Sequence, residues 1–274
     1  MRPFPKDQPL GAWYTLAIGL LWPTMMTITK RDWQGAENLG APGEGVIVAP
    51  NHLSWFDPIV LAHFLNDNDR APRFLAKDSV FEIPLAGRIL AGAGQIPVFR
   101  GTGNAANAVK AAVAAVAAGE AVVVYPEGTL TRDPKMWPMT GKTGAARIAL
   151  TSGKPVIPVA HWGAQEIMSP YTKEFNAFPP KTMHVIAGSA VDLDDLRDAE
   201  VTVDVLAEAT SRIMDDITGL LAQLRNETAP TTRWDPRAKA VAPIHHPIPK
   251  TAPKSRSRKP TQQSTQQSRQ QEDS

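Results

Sequence analysis

His52 and Asp57 stand five positions apart in Asn51-His52-Leu53-Ser54-Trp55-Phe56-Asp57-Pro58, directly after the apolar run Val46-Ile47-Val48-Ala49. A histidine oriented by a carboxylate is a general base for a hydroxyl or thiol proton. On one continuous helix, side chains five residues apart point about 140° away from each other and cannot meet. The flanking residues predict another geometry. Residues 46–49 read as a buried strand, and Asp57-Pro58 reads as an N-cap followed by proline at the first helical position. His52 then lies in the loop leaving the strand and Asp57 at the mouth of the next helix, where the loop can fold them together. The same residues also fit a plain helix cap beside a turn histidine, and spacing alone does not separate the two readings.

Further polar residues follow other apolar runs. Arg100 ends Val98-Phe99-Arg100-Gly101, Glu127 lies in Pro126-Glu127-Gly128-Thr129, and His161 follows residues 156–160. In an open α/β sheet, ligands gather beyond the carboxyl ends of the strands. Four polar residues at four such ends describe a site, provided the strands are parallel. Arg100 offers a planar bidentate donor suited to phosphate, or is a surface charge. Glu127 is placed to hold a substrate hydroxyl or orient Arg132, or is a solvated loop residue. Lys142, in Gly141-Lys142-Thr143-Gly144, opens a helix whose N–H groups favour an anion. His161 has no assigned role. The 141–144 turn lacks P-loop spacing, no Gly-x-Gly-x-x-Gly follows a strand, and no Gly-x-Ser-x-Gly nucleophile elbow occurs.

The elements that must position these groups alternate. Strands are expected at 45–49, 73–76, 95–99, 121–125, 156–160 and 183–187. Helices are expected at 104–118, where Val109, Val113 and Val116 share a face before Gly119, at 143–151, and at 201–225. The pattern predicts an α/β fold with a mostly parallel sheet flanked by helices. Ahead of it, residues 10–29 are apolar but contain Pro23 and several threonines, and Trp13, Tyr14 and Trp22 suit headgroup depth. This segment is expected as a helix or broken helical hairpin lying in one leaflet, with a buried helix of a water-soluble body as the other reading. After residue 226, prolines and Gln/Ser repeats predict a disordered tail. The division is thus 1–35 membrane-associated, 36–225 α/β domain, 226–274 tail.

Composition narrows the partners. Residues 225–274 hold ten basic and four acidic side chains, so a chain of net charge +2 has a tail of +6 and a body of −4. An acidic body argues against nucleic acid. The basic run 250–259 suits anionic headgroups or is merely solubilising. The chain has no cysteine, which removes disulfides, thiolate metal sites and a cysteine nucleophile.

The ordered set Asn51-His52-x4-Asp57-Pro58, GQIPVFR at 94–100, YPEGT at 125–129 and VIPV at 156–159 resembles the glycerolipid acyltransferases, most nearly the PlsC-like 1-acylglycerol-3-phosphate acyltransferases, over about residues 40–190. The resemblance implies acyl transfer from acyl-CoA or acyl carrier protein to the free hydroxyl of a lysophospholipid, giving phosphatidic acid. It implies a direct transfer needing no enzyme nucleophile, no metal and no cofactor beyond the acyl donor. By position, His52 is the base and Asp57 its orienting partner, while Arg100, Glu127, Gly128 and Thr129 belong to a phosphate–glycerol site, with Arg132 and Lys142 as further cations. Backbone donors near the helix start are expected to receive the oxyanion. Two departures bear on the acceptor: Leu130 stands where the family commonly has arginine, the arginine coming at Arg132, and Pro97 interrupts the second block. The expected place is the cytoplasmic face of the cell membrane, peripheral or monotopic. A non-catalytic lipid carrier on the same scaffold, or transfer to a different lipid or glycolipid acceptor, are the alternatives, and oligomeric state is not legible.

Overall fold

The computed structural model describes residues 11–99 and 105–236. Arg100 and the basic run 250–259 lie outside the described residues. The chain begins with α1 (Ala12–Ile28), then β1 (Thr29–Gln34), a short 3-10 turn, β2 (Val46–Pro50), α2 (Asp57–Asp67), β3 (Pro72–Lys77), α3 (Asp78–Phe81), α4 (Ala86–Gly92) and β4 (Ile96–Val98). It continues through α5 (Ala105–Ala117), β5 (Ala121–Val123), α6 (Gly144–Ser152), β6 (Val156–Trp162), α7 (Ala164–Ile167), β7 (Lys181–Ala187), α8 (Asp194–Arg197) and α9 (Val203–Arg225).

The strands form one seven-stranded sheet in the order β1-β7-β6-β2-β5-β3-β4. Every neighbouring pair is parallel except β6 with β7. The parallel α/β architecture expected from the alternation is therefore the observed one. β2 lies at the centre, fully buried, with β5 and β6 on either side, so the loops leaving these three strands meet at one edge. β1 was not legible in the sequence. Its residues Thr-Lys-Arg-Asp-Trp-Gln carry no apolar alternation because it is an edge strand, paired on one side only and largely half-exposed.

Two apolar layers cover the two faces. On one, α5, α6 and α9 pack on Ile47, Ala49 and Val122. On the other, α1, α2 and α7 pack on Val46, Val48, Val123 and Val159. Gly45 marks how close α5 comes to the root of β2: a Cβ there would meet the Val116 carbonyl oxygen at 1.7 Å. α9 begins at Thr202, whose hydroxyl accepts the Val205 N–H, and ends at Asn226 in the left-handed region.

α1 is one uninterrupted helix, not a hairpin, with Pro23 inside it. The threonines of 10–29 do not expose their hydroxyls freely: Thr24 donates to the Leu20 carbonyl and Thr27 to that of Pro23, both at 3.0 Å. Tyr14, Ile18, Met25 and Ile28 are buried against the body, Trp13 packs against Gly92 of α4, and Leu16, Leu20 and Met26 face outward. Among the described residues no helix is long and apolar enough to cross a membrane.

The expected tail boundary at 226 also shifts. Trp234 accepts the Thr140 N–H through its carbonyl at 3.0 Å, and Arg233 pairs with Asp215 on α9. Residues 226–236 thus run back over the body instead of leaving it. Arg225 starts that return, its guanidinium lying 4.2 Å from the Trp137 ring and 4.6 Å from that of Trp162.

Candidate active site

The β2 register pairs Val48 with Val123 of β5 and Pro50 with Val159 of β6. This sets Asn51 and His52, the first residues beyond β2, level with the exits of both neighbours. The loop 51–56 then turns back so that Asp57, in the first turn of α2, faces the histidine. His52 Nδ1 lies 2.8 Å from Asp57 Oδ2. The same oxygen accepts the Leu53 N–H at 2.6 Å and the Ser54 N–H at 2.8 Å. Asp57 is not the forward-facing N-cap expected from its place before Pro58. Phe56 occupies the cap position without a capping side chain, and the Asp57 carboxylate points backward into the loop. A carboxylate can only accept, so Nδ1 carries the proton and Nε2 holds the free lone pair. The His52 side chain is 14% exposed and that of Asp57 is fully buried.

Those contacts also commit the amides expected to receive an oxyanion. The Leu53 and Ser54 N–H groups are bound to Asp57, and the Phe56 N–H donates to the Ser54 hydroxyl at 3.0 Å.

Glu127 is turned inward, not toward a ligand. It is 2% exposed; Oε1 accepts the His52 N–H and Oε2 the Met139 N–H, each at 3.0 Å. Neither oxygen orients Arg132. The residue instead ties the His52 loop to the loop 131–139, a link reinforced by the Thr131 N–H donating to the His52 carbonyl at 2.8 Å. Burial pushes the Glu127 carboxyl up from 4.5 to about 8, with the two N–H donors pulling against it. The sequence gives no signal for this role, because nothing local distinguishes a buried loop glutamate from a solvated one.

Tyr125, not singled out there, and His161, named there without a role, complete the support. The Tyr125 ring stacks on the His52 imidazole, with centroids 4.1 Å apart and planes 25° apart, which fixes the plane in which Nε2 points. His161 lies inside β6, fully buried. It makes a three-bond clamp with Asn51: its N–H donates to Asn51 Oδ1 at 2.9 Å, its carbonyl accepts from Asn51 Nδ2 at 3.2 Å, and Nε2 donates to the Asn51 carbonyl at 2.8 Å. Nε2 is also 3.7 Å from Asp57 Oδ2. Burial lowers the proton affinity of this imidazole, the charge of Asp57 opposing. His161 therefore holds the β2 exit from behind as a neutral donor.

The remaining candidates lie around the same edge. Gly128 adopts φ +65°, a left-handed conformation suited to glycine, and a Cβ there would meet Lys142 Nζ at 2.9 Å. The exposed Lys142 stem thus lies over Gly128, while its N–H donates to the Pro126 carbonyl at 2.8 Å. Thr129 is half-buried beside it and Arg132 is exposed. Tyr171, whose hydroxyl donates to the Thr131 carbonyl, is close enough to Arg132 for that charge to oppose the upward effect of burial on its phenol. Among the described residues no three His, Cys, Asp or Glu side chains are grouped as metal ligands would be.

Comparison with known proteins follows this geometry. The family model described as Acyltransferase matches residues 30–162. A chloroplastic 1-acyl-sn-glycerol-3-phosphate acyltransferase of Brassica napus is 30% identical over 154 residues, 55% of this chain and 43% of that protein. A lyso-ornithine lipid O-acyltransferase of Pseudomonas aeruginosa is 31% identical over 121 residues, 44% of each. The chain thus spans less than half the length of these curated relatives. The crystal structure of the 1-acyl-sn-glycerophosphate acyltransferase PlsC from Thermotoga maritima shares the fold, with a TM-score of 0.56 and 19% identity over 77% of this chain and 79% of that one. The match to the Acyltransferase model thus runs from β1 to the end of β6 and takes in His52 and Asp57, and the fold is the one seen in the PlsC crystal structure.

Proposed function

We propose that the protein transfers a fatty acyl chain from a thioester, acyl-CoA or acyl carrier protein, to the free hydroxyl of a lysophospholipid, with 1-acylglycerol-3-phosphate as acceptor and phosphatidic acid as product. The observation that carries this reading is the 2.8 Å contact between His52 Nδ1 and Asp57, which leaves Nε2 as the ring nitrogen not engaged by the carboxylate. Nε2 removes the acceptor hydroxyl proton as that oxygen attacks the thioester carbonyl. Asp57 stabilises the imidazolium, the C–S bond then breaks, and the thiolate takes up the proton. Tyr125, Glu127 and His161 act on this step only by holding the imidazole and its loop. Gly128, Thr129, Arg132 and Lys142 supply a glycine-lined, cationic edge suited to a phosphate, with Arg100 as a further donor. The outward apolar face of α1 supports a peripheral attachment to a membrane surface, which this reading assigns to the cytoplasmic side on function alone.

A second acceptor class is favoured by two observations. Leu130 stands directly after Thr129, with the cation displaced to Arg132, and one relative is a lyso-ornithine lipid acyltransferase. The test is to mix the purified chain with acyl-CoA and a panel of lysolipids that includes lysophosphatidate and a lyso-aminolipid, following thiol release and lipid product. Product from lysophosphatidate alone supports the first reading, and product from the aminolipid alone the second. Tight lipid binding without thiol release would leave a carrier in place of an enzyme.

A further inference from the structure

The large apolar side chains left exposed next to the site belong mostly to the loop after α7. Tyr171, Phe175 and Phe178 are 41%, 58% and 64% exposed, and Trp55, from the loop between His52 and Asp57, is 53% exposed. Single exposed aromatics are ordinary, whereas four on adjoining loops form a patch that calls for a partner.

The patch is built, not slack. Residues 168–178 fold back on themselves: Met168 bridges Phe175 in antiparallel fashion, the Asn176 N–H donates to the Ile167 carbonyl at 2.7 Å, and the Lys173 N–H donates to the Ser169 carbonyl at 3.2 Å. The loop is also fastened to the site. Ser54 Oγ donates to the Met168 carbonyl at 2.6 Å, Trp55 Nε1 donates to the Pro170 carbonyl at 3.1 Å, and Phe56 meets Phe175 edge-on at 6.3 Å between centroids. Lys173 lies over the Trp55 ring, its Nζ 5.5 Å from the centroid. Phe175 and Phe178 are therefore presented outward by a backbone anchored to the segment that holds His52 to Asp57, while the Tyr171 ring is tied by its hydroxyl to the Thr131 carbonyl.

We propose that residues 168–178, with Trp55, form a lipid-interface element that seats the His52 site on the boundary between headgroups and acyl chains of a bilayer. The inference rests on the lysolipid reading above and adds a second lipid contact, separate from α1. Trp, Tyr and Phe beside a snorkelling lysine are the side chains that settle at that depth. A bilayer suits the patch better than an acidic carrier protein, because Lys173 is the one basic residue in 168–178 and Glu174 follows it. The patch also lies on the right side of the molecule. α1 and α2 cover the same face of the sheet, and α2 carries Phe56 against Phe175 at its start and Ile59, Ala62 and His63 beside Ile18 and Trp22 of α1 farther along.

The chain has no native cysteine, so a single label reports one place. Phe178→Cys in the full chain, carrying an environment-sensitive fluorophore, is mixed with zwitterionic phosphatidylcholine vesicles. A blue shift and quenching by lipid brominated in the chain are expected, while the same label at Gly219→Cys on α9, on the opposite face, does not respond. No response at position 178, or a response only to acyl carrier protein, overturns the proposal. In a second arm, Phe178→Ser is expected to slow transfer to acceptor embedded in vesicles by about tenfold, the partition lost with one partly inserted phenylalanine. Transfer to a short-chain acceptor dissolved as monomer is expected to be unchanged. Equal losses on both acceptors, or no loss on either, overturns it. If the wild-type chain transfers no acyl group to either acceptor, the lysolipid reading fails, and the fluorescence arm still decides the docking.

Discussion

At the scale of single residues, the proposed site is one imidazole nitrogen and a set of groups that hold it. His52→Ala is expected to lower acyl transfer by about 10²–10⁴-fold with the fold intact, the usual loss for a positioned general base, read as thiol release beside an unchanged circular dichroism spectrum. Asp57→Asn should cost a similar factor, because an amide can donate to Nδ1 and move the imidazole proton to Nε2. Near-normal turnover in folded His52→Ala protein would remove the mechanism. Glu127 predicts a pH effect of defined sign. Its folded pKa of about 8 lies above the ordinary 4.5, so the folded chain holds a proton that the unfolded chain releases. That stability is complete below 4.5 and is lost as pH rises toward 8, at no more than about 1.4 kcal/mol per pH unit. Unfolding scans at stepped pH should show this decline in the wild type and a flatter profile in Glu127→Gln. Parallel profiles would mean that Glu127 stays ionised, stabilised by the His52 and Met139 N–H groups.

At the scale of elements, Asp67 at the end of α2 joins the outer segments to the body. Its Oδ2 accepts from Arg31 at 2.8 Å and Trp33 at 3.1 Å, both on β1, and its Oδ1 from Trp22 of α1 at 3.3 Å. Asp67→Ala leaves Arg31 without this carboxylate and two indole N–H groups without their acceptor. A destabilisation of about 2–4 kcal/mol is expected in chemical denaturation, less than for a fully buried pair because Arg31 keeps some contact with water. A loss below 0.5 kcal/mol would mean that α1 and β1 are held by apolar packing alone. The strands and long helices were readable beforehand where apolar periodicity is strong, as in β2, β5, β6, α5, α6 and α9. β1 was not, since an edge strand pairs through its backbone and lets charged side chains such as Lys30 and Asp32 stay in contact with water. α1 was recognised as apolar, but the sequence left open a lipid-facing segment or a buried one. One face of it is buried in the body and the other is exposed.

For the whole molecule, that division changes how membrane attachment must be tested. Deleting residues 1–30 would strip Tyr14, Ile18, Met25 and Ile28 from the core along with any anchor, so release from lipid would not be interpretable. Leu16→Ser/Leu20→Ser changes only the outward face. Liposome sedimentation of this variant should fall clearly, and in high salt the wild type should stay bound, because apolar burial at roughly 25 cal/mol per Å² is barely screened whereas the charges of a basic tail are. Unchanged sedimentation of the variant, with salt releasing the wild type, would place the attachment on charge instead.

Sequence alone determined the chemistry and the class of scaffold. The order of His52, Asp57, Glu127 and the apolar runs before them specified an α/β sheet with polar residues at its strand ends, because strand periodicity and residue type are local properties. Which of those residues face a ligand was decided by tertiary structure. Asp57 turned backward to three donors, Glu127 turned inward to bind the backbone of its neighbours, and Tyr125 and His161 closed around His52 from β5 and β6. The physical reason is that a carboxylate or an imidazole has the same local sequence whether it is satisfied by solvent, by substrate or by a buried amide. Only strands distant in sequence and adjacent in the sheet, such as β2 and β6 with Asn51 and His161 110 residues apart, bring the partner that settles the choice.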